Sequence, residues 1–232
     1  MGDAVLSPSQ TLWSCPRASA LGHDHSGSAT RLGILASGEG SNFEAIARAF
    51  VGVSHVEVSC LVCNQPEAGA LGRAERLGIP YECVPHQGFE ERALFDDAVA
   101  QALIAHDVQW VIMAGWMRLM GAGFLDAFSG RVLNIHPSLL PSFKGMRALE
   151  RAWEAGQKIV GCSVHWVVPQ MDAGALIAQA AMSVEPHWSF QQVRKHMSTL
   201  EHSLYPQAIL AVLGQSAPKQ PDLELKVDSS NR

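Results

Sequence analysis

The sequence predicts an α/β protein: a Rossmann-like open, mostly parallel sheet with helices on both faces, finished by a β-hairpin and a long helix. Three observations predict it. From Arg31 onward, short aliphatic and β-branched runs alternate with helical stretches, the pattern of strands joined by helical crossovers. Later, the strand-like runs KIVGCSVHWVVP and ALIAQAAMSV are joined by QMDAG, a hairpin-sized connection. Beyond them a helical period runs from about Phe190 to Leu213, with Val193, Met197, Leu200 and Leu204 on one stripe.

The elements follow in order. RLGILAS reads as a strand, GEGSN as a turn and NFEAIARAF as a helix. VEVSCLVCN is a second strand, followed by the helical AGALGRAERLG, which Gly78 stops. YECVP is a short strand. FEERALFDDAVAQALIAH is a helix with Phe95, Val99, Ala102 and Leu103 on one stripe. QWVIMAG and VLNI are buried strands, and ALERAWEAGQ is a helix. Ligands of such sheets bind at the carboxyl ends of the strands, so the loops after Ala36, Ala114 and Ile135 are the ones to inspect.

Composition narrows the class. The 232 residues are 47% hydrophobic and 17% charged, which suits an ordinary soluble globular chain. No apolar run is long enough to span a membrane. A net charge of −5 weighs against a general nucleic-acid binder, though not against a small phosphorylated substrate. Five scattered cysteines (Cys15, Cys60, Cys63, Cys83 and Cys162) do not form a disulfide pattern and fit a reducing cytoplasm. Cys60-x-x-Cys63 resembles a redox or metal motif, but it lies in a strand-like run, where it reads better as two buried thiols. No metal-ligand spacing stands out, and His23-x-His25 reads as part of a loose leader. Residues 1–30 are rich in Ser, Ala, Gly and Pro and predict a disordered leader without the marks of a secretory signal. Residues 31–213 form the expected domain, and 214–232 a flexible polar tail.

Four places carry chemistry. SGEGSN, residues 37–42, follows a strand and opens a helix, so free N–H groups and the helix dipole favour one phosphate monoester. The same residues also suit a plain tight turn, with Ser41 and Asn42 as capping types. AGWMRLM, residues 114–120, follows a buried strand and suits a flat hydrophobic wall beside Arg118. In VLNIHPSLLPSFKG, residues 132–145, Asn134 and His136 are two apart and share one face of an extended chain. Pro137 keeps His136 extended and ends the strand. An imidazole is a general acid or base at neutral pH, and an amide can donate to an oxyanion. Ser138 is a nucleophile candidate by position, but no G-x-S-x-G elbow surrounds it. Asp172, in QMDAG, is the best carboxylate to partner the imidazole, and it equally suits a turn cap. Glu201 falls at the margin of the last helix's buried stripe, where a carboxylate can be half-buried.

Together GILASGEGSNFEAI, VIMAGWMRLM, VLNIHPSLLPSFKG and GCSVHWVVPQMDAGALIAQ resemble the folate-dependent phosphoribosylglycinamide formyltransferase family. The similarity runs from about Arg31 to Leu213 and includes TLEHSLYP. It implies a formyltransferase fold and transfer of the formyl group of 10-formyltetrahydrofolate, as co-substrate, to the amine of glycinamide ribonucleotide in purine synthesis. His136 would then be the general acid–base residue, Asn134 the oxyanion donor and Asp172 the group that tunes His136. Gly40, Ser41, Asn42 and Glu201 would bind glycinamide ribonucleotide. Arg92 would meet the folate's tail. Met117, Arg118, Leu119 and Met120 would line the pterin pocket, with Asn134 and the backbone from Val168 to Asp172 closing it. The resemblance also implies a cis peptide at Leu140–Pro141. No metal, nucleic acid or membrane is implied, and monomer and homodimer both stay open. Two departures stand out: MRALERA, where many relatives carry histidines, and Gly174-Ala175, where relatives often have Gly-Pro. The alternatives are a hydrolase releasing formate from the same folate, and a catalytically idle folate or nucleotide binder.

Overall fold

The computed structural model describes residues 11–14 and 28–213. Its parallel half is built from β2 (Thr30–Ala36), β3 (Val56–Cys63), β4 (Tyr81–Cys83), β5 (Trp110–Met113) and β6 (Val132–His136). The connecting helices are α1 (Ser41–Ala49), α2 (Gly69–Leu77), α3 (Arg92–Ala105) and α4 (Ala122–Ala127). After α5 (Ala148–Glu154), β7 (Ile159–Trp166) runs antiparallel to β6, and β8 (Leu176–Ser183) antiparallel to β7. The long α6 (Phe190–Leu213) closes the domain. β1 (Thr11–Ser14) pairs with β8 at the edge, giving the order β1-β8-β7-β6-β5-β2-β3-β4. The hairpin and long terminal helix expected from the sequence are therefore present. The rest of the segment read as a leader, with Cys15 and His23-x-His25, and the expected tail lie outside the described residues.

Near-continuous apolar runs make both faces of the parallel strands dry, as two-sided coverage requires. Ile34, Leu61, Ile112 and Leu133 face α1 and α6, packing with Phe43, Ile46, Leu200 and Leu204. Leu35, Val62, Val111 and Met113, their chain neighbours, face α3 and α4 with Phe95, Val99, Leu103 and Phe124. Each large side chain so buried contributes roughly 1.5–3 kcal/mol before conformational entropy is counted. Cys60 and Cys63 are both buried in β3, and desolvation pushes the Cys60 thiol up to about 12. The four described cysteines are free thiols. No described helix is long and apolar enough to cross a membrane.

The order of strands reverses at β2, whose neighbours are β3 on one side and β5 on the other. The carboxyl ends of β2, β5 and β6 open onto one cleft, where ligands of such sheets bind.

Candidate functional site

At the end of β2, Gly40 takes the left-handed conformation with φ 73° and caps α1. A Cβ there would stand 2.7 Å from the Cα of Ala70, so this turn needs glycine twice over. The helix begins at Ser41, and neither Ser41 nor Asn42 caps it with its side chain. Their N–H groups, with that of Phe43, are first-turn donors without a helical acceptor. Glu44 would repel an anion there, but Arg48 and Arg73 both engage its carboxylate and hold it below the usual range. Arg73 Nε also donates to Glu39 O at 2.6 Å, fixing the loop.

Asn42 reaches across to α6, where its Nδ2 donates to Glu201 Oε2 at 3.0 Å. Glu201 is half-buried, and desolvation pushes its carboxyl up to about 7 against the opposing pull of that hydrogen bond. The glycine-rich loop is tied to the second loop as well. Ser37 N donates to Gly115 O at 3.1 Å, and Met117 N donates to Ser37 Oγ at 2.9 Å. Beyond Gly115, Met117 and Leu119 are exposed in the cleft wall, while Met120 is buried and accepts from Trp116 Nε1 at 3.1 Å. The Arg118 guanidinium lies 5.5 Å above the Phe95 ring, which itself stacks on Trp116.

The register of β6 on β7 builds the polar floor. Asn134 stands opposite His165, and His136 opposite Ser163, so all four share one face. His165 Nδ1 donates to Trp166 O at 2.8 Å, and its Nε2 is left to accept from Asn134 Nδ2 at 3.2 Å. Burial, its largest influence, lowers the pKa of His165 and favours this neutral form. His136 Nε2 donates to Phe143 O at 3.0 Å, which turns Nδ1 toward Asp172 Oδ2 at 3.4 Å. Both side chains are only 9% exposed. Asp172 sits in the β7–β8 turn with φ 49°, and its Oδ2 also accepts from Gly145 N at 2.8 Å. Its Oδ1 lies 3.7 Å from His165 Nε2, so one carboxylate stands between two imidazoles.

The loop after His136 is pinned from β7 and β8. Leu140 N donates to Ser163 Oγ at 3.0 Å, and Ser163 donates to Ser138 O at 2.7 Å. Gln179 Nε2 reaches both Leu140 O and Ser163 Oγ. The Leu140–Pro141 peptide is cis. Ser138 is buried and donates to Ser142 O at 2.6 Å. It holds the loop together and does not line the cleft.

These groups line one cleft of about 880 Å³ that contains Ser41, Asn42, Met117–Met120, Asn134, His136, Val168, Asp172 and Glu201. Gly40 is not in the lining; it caps α1 next to Ser41 and packs on Ala70. Arg92 stands apart: it opens α3, pairs with Asp96 at 3.5 Å and is not in the cleft lining. His165, the Phe143 carbonyl, the Gly145 N–H and the Ser163–Gln179 pair escaped the sequence reading. His165 and Ser163 had one signal, the alternation in CSVHW, but it assigns a face only once the pairing register is known. Among the described residues, no cluster of three or more His, Cys, Asp and Glu could hold a metal ion.

A cleft at the switch point, floored by Asn-x-His and a turn aspartate, defines a class of group-transfer enzymes. Residues 30–209 match the Formyl transferase family, and the chain belongs to it. It is 38% identical over 185 residues to a phosphoribosylglycinamide formyltransferase of Bacillus subtilis (strain 168), covering 79% of this chain and 95% of that protein. A trifunctional purine biosynthetic protein adenosine-3 of Gallus gallus is 37% identical over 183 residues, which are 78% of this chain and 18% of that protein. Among solved structures, glycinamide ribonucleotide transformylase 1 from Symbiobacterium toebii superposes with a TM-score of 0.78 at 37% identity, covering 83% of this chain and 92% of that one.

Proposed function

We propose that the chain transfers the formyl group of 10-formyltetrahydrofolate to the amine of glycinamide ribonucleotide, in the cytoplasm, as a step of purine synthesis. The observation that carries this reading is the placement of His136, Asn134 and Asp172 on the floor of a cleft between an anion-binding helix start and an apolar wall. The first-turn N–H groups at Ser41 and Asn42 take the substrate's phosphate, and Glu201 binds the same substrate beside it. Met117, Arg118, Leu119 and Met120 receive the pterin, closed by the backbone from Val168 to Asp172. Arg92 lies outside the cleft lining and meets only the far tail of the folate.

The chemistry follows from proton positions. His136 keeps one proton on Nε2, held by Phe143 O, so Nδ1 is the nitrogen that works. Asp172 Oδ2, 3.4 Å from Nδ1, stands where it can accept a proton carried on that nitrogen. The substrate amine attacks the formyl carbon, and negative charge gathers on the formyl oxygen. Asn134 donates its amide N–H left over from His165, and His136 donates its Nδ1 proton. Water beside Asp172 carries the proton from the attacking nitrogen to the folate nitrogen that leaves. The His136→Ala enzyme should lose about 10²-fold or more in kcat, the usual scale for a general acid–base group. A purified His136→Ala enzyme that transfers formyl at the wild-type rate would refute the mechanism.

A further inference from the structure

The two members of the catalytic pair are held by one turn. Phe143 O accepts the Nε2 proton of His136 at 3.0 Å, and Gly145 N donates to Asp172 Oδ2 at 2.8 Å. The turn is an unusual one: Phe143, Gly145 and Arg147 all take positive φ, at 53°, 80° and 55°. An aromatic residue and an arginine resist that conformation, so something outside the turn must hold it there. Arg151, one turn into α5, meets it directly. Its guanidinium donates to Lys144 O and lies 6.0 Å over the Phe143 ring.

Arg151 keeps this position at a cost. Its Nε is buried and makes no hydrogen bond to any described residue. A buried donor without an acceptor is unfavourable, and an apolar side chain would not carry it. The bond to Lys144 O is the evident return.

We propose that Arg151 is a positioning residue: by anchoring the Phe143–Gly145 turn, it fixes which nitrogen of His136 faces the substrate. The chain of contacts is short. Arg151 holds Lys144 O; the turn then presents Phe143 O on one side and Gly145 N on the other. Phe143 O selects the His136 form protonated on Nε2, and Gly145 N aims the Asp172 carboxylate at Nδ1. Without the anchor the ring is free to turn over, and Nδ1 no longer faces the reacting formyl group in every molecule.

This inference rests on the proposed formyl transfer for its kinetic readout, but not for its spectroscopic one. Arg151→Met and Arg151→Lys enzymes would be compared with the wild type in three measurements: thermal melting, steady-state kinetics with both substrates, and the ring ¹⁵N resonances of His136 without substrate. In Arg151→Met, kcat should fall about tenfold or more, toward the ~10²-fold that a misplacement of about 1 Å can cost, with KM for each substrate within about twofold. The His136 ring signals should move from one Nε2-protonated form toward a mixture. Arg151→Lys, which can still donate to Lys144 O, should restore the single form and most of kcat. Arg151→Met with wild-type ring signals overturns the proposal, whatever its melting temperature. Should Arg151→Met not fold, Arg151→Ala takes its place: a mixture of ring forms supports the proposal, and one Nε2-protonated form contradicts it. A wild type that shows the single form but transfers no formyl group would sink the functional reading and leave the positioning role standing.

Discussion

Glu201 shows how a single residue ties the cleft to stability. Its carboxyl is pushed up to about 7 by burial, well above the 4.5 of an unburied glutamate. A folded-state pKa raised above the unfolded value means that the folded chain binds the proton more tightly. The associated stability is fully present below about pH 4.5 and is lost as pH rises through about 7. A Glu201→Gln enzyme keeps the shape without the ionisation. Its melting temperature should therefore gain on that of the wild type between pH 5 and pH 8. A difference that stays flat across this window would contradict the burial of the ionised form. At this scale the sequence showed a good deal. Asn134 and His136 were legible from a two-residue spacing at the end of an apolar run. Glu201 was legible from its place on the rim of a helical stripe. His165 was not, because a buried histidine in a strand has no local mark. Its meaning comes from standing opposite Asn134 on another strand.

At the scale of elements, the β7–β8 hairpin delivers Asp172. Its strands close tightly: Trp166 N donates to Ala175 O at 3.0 Å. Only the carbonyl of Ala175 is used in that bond, a group that any residue offers. Gly174 has no such latitude. A Cβ there would stand 1.7 Å from Trp166 O and 2.7 Å from Trp166 C, both of them backbone atoms. Gly174→Ala must push the strands apart or twist the turn, at a cost of about 3 kcal/mol or more by the scale of overpacked cores. A thermal melt should show a clear drop, and formyl transfer should fall as Asp172 withdraws from His136. An unchanged melting temperature would mean that the hairpin is looser than its contacts imply. The hairpin itself was visible in the sequence as two apolar runs with a short polar joint. The reach of Asp172 to His136 was not, because it depends on β7 lying beside β6, a pairing between segments far apart in the chain. The six-residue α4 and the 3₁₀ turn at His86–Gly88 were also illegible, being too short to show a period.

For the whole molecule, alternation of strands and helices was enough to read the architecture and the edge of the sheet that binds. It could not give the order of strands, and so could not show which loops meet. That order brings the ends of β2, β5 and β6 together, and α6 crosses back to join Glu201 to Asn42. Three segments distant in sequence thereby form one cleft with a helix start at one end, a floor of Asn134, His136 and Asp172, and an apolar wall. Such a cleft is suited to two different molecules at once, which is what transfer between substrates requires. The most direct test is one assay of the purified chain with 10-formyltetrahydrofolate, run with and without glycinamide ribonucleotide. Folate should be deformylated at an enzymatic rate only when glycinamide ribonucleotide is present, with one formylated amine formed per folate consumed. Formate released at the same rate without the amine would identify a hydrolase, and no product in either arm would identify a binder; each result would contradict formyl transfer.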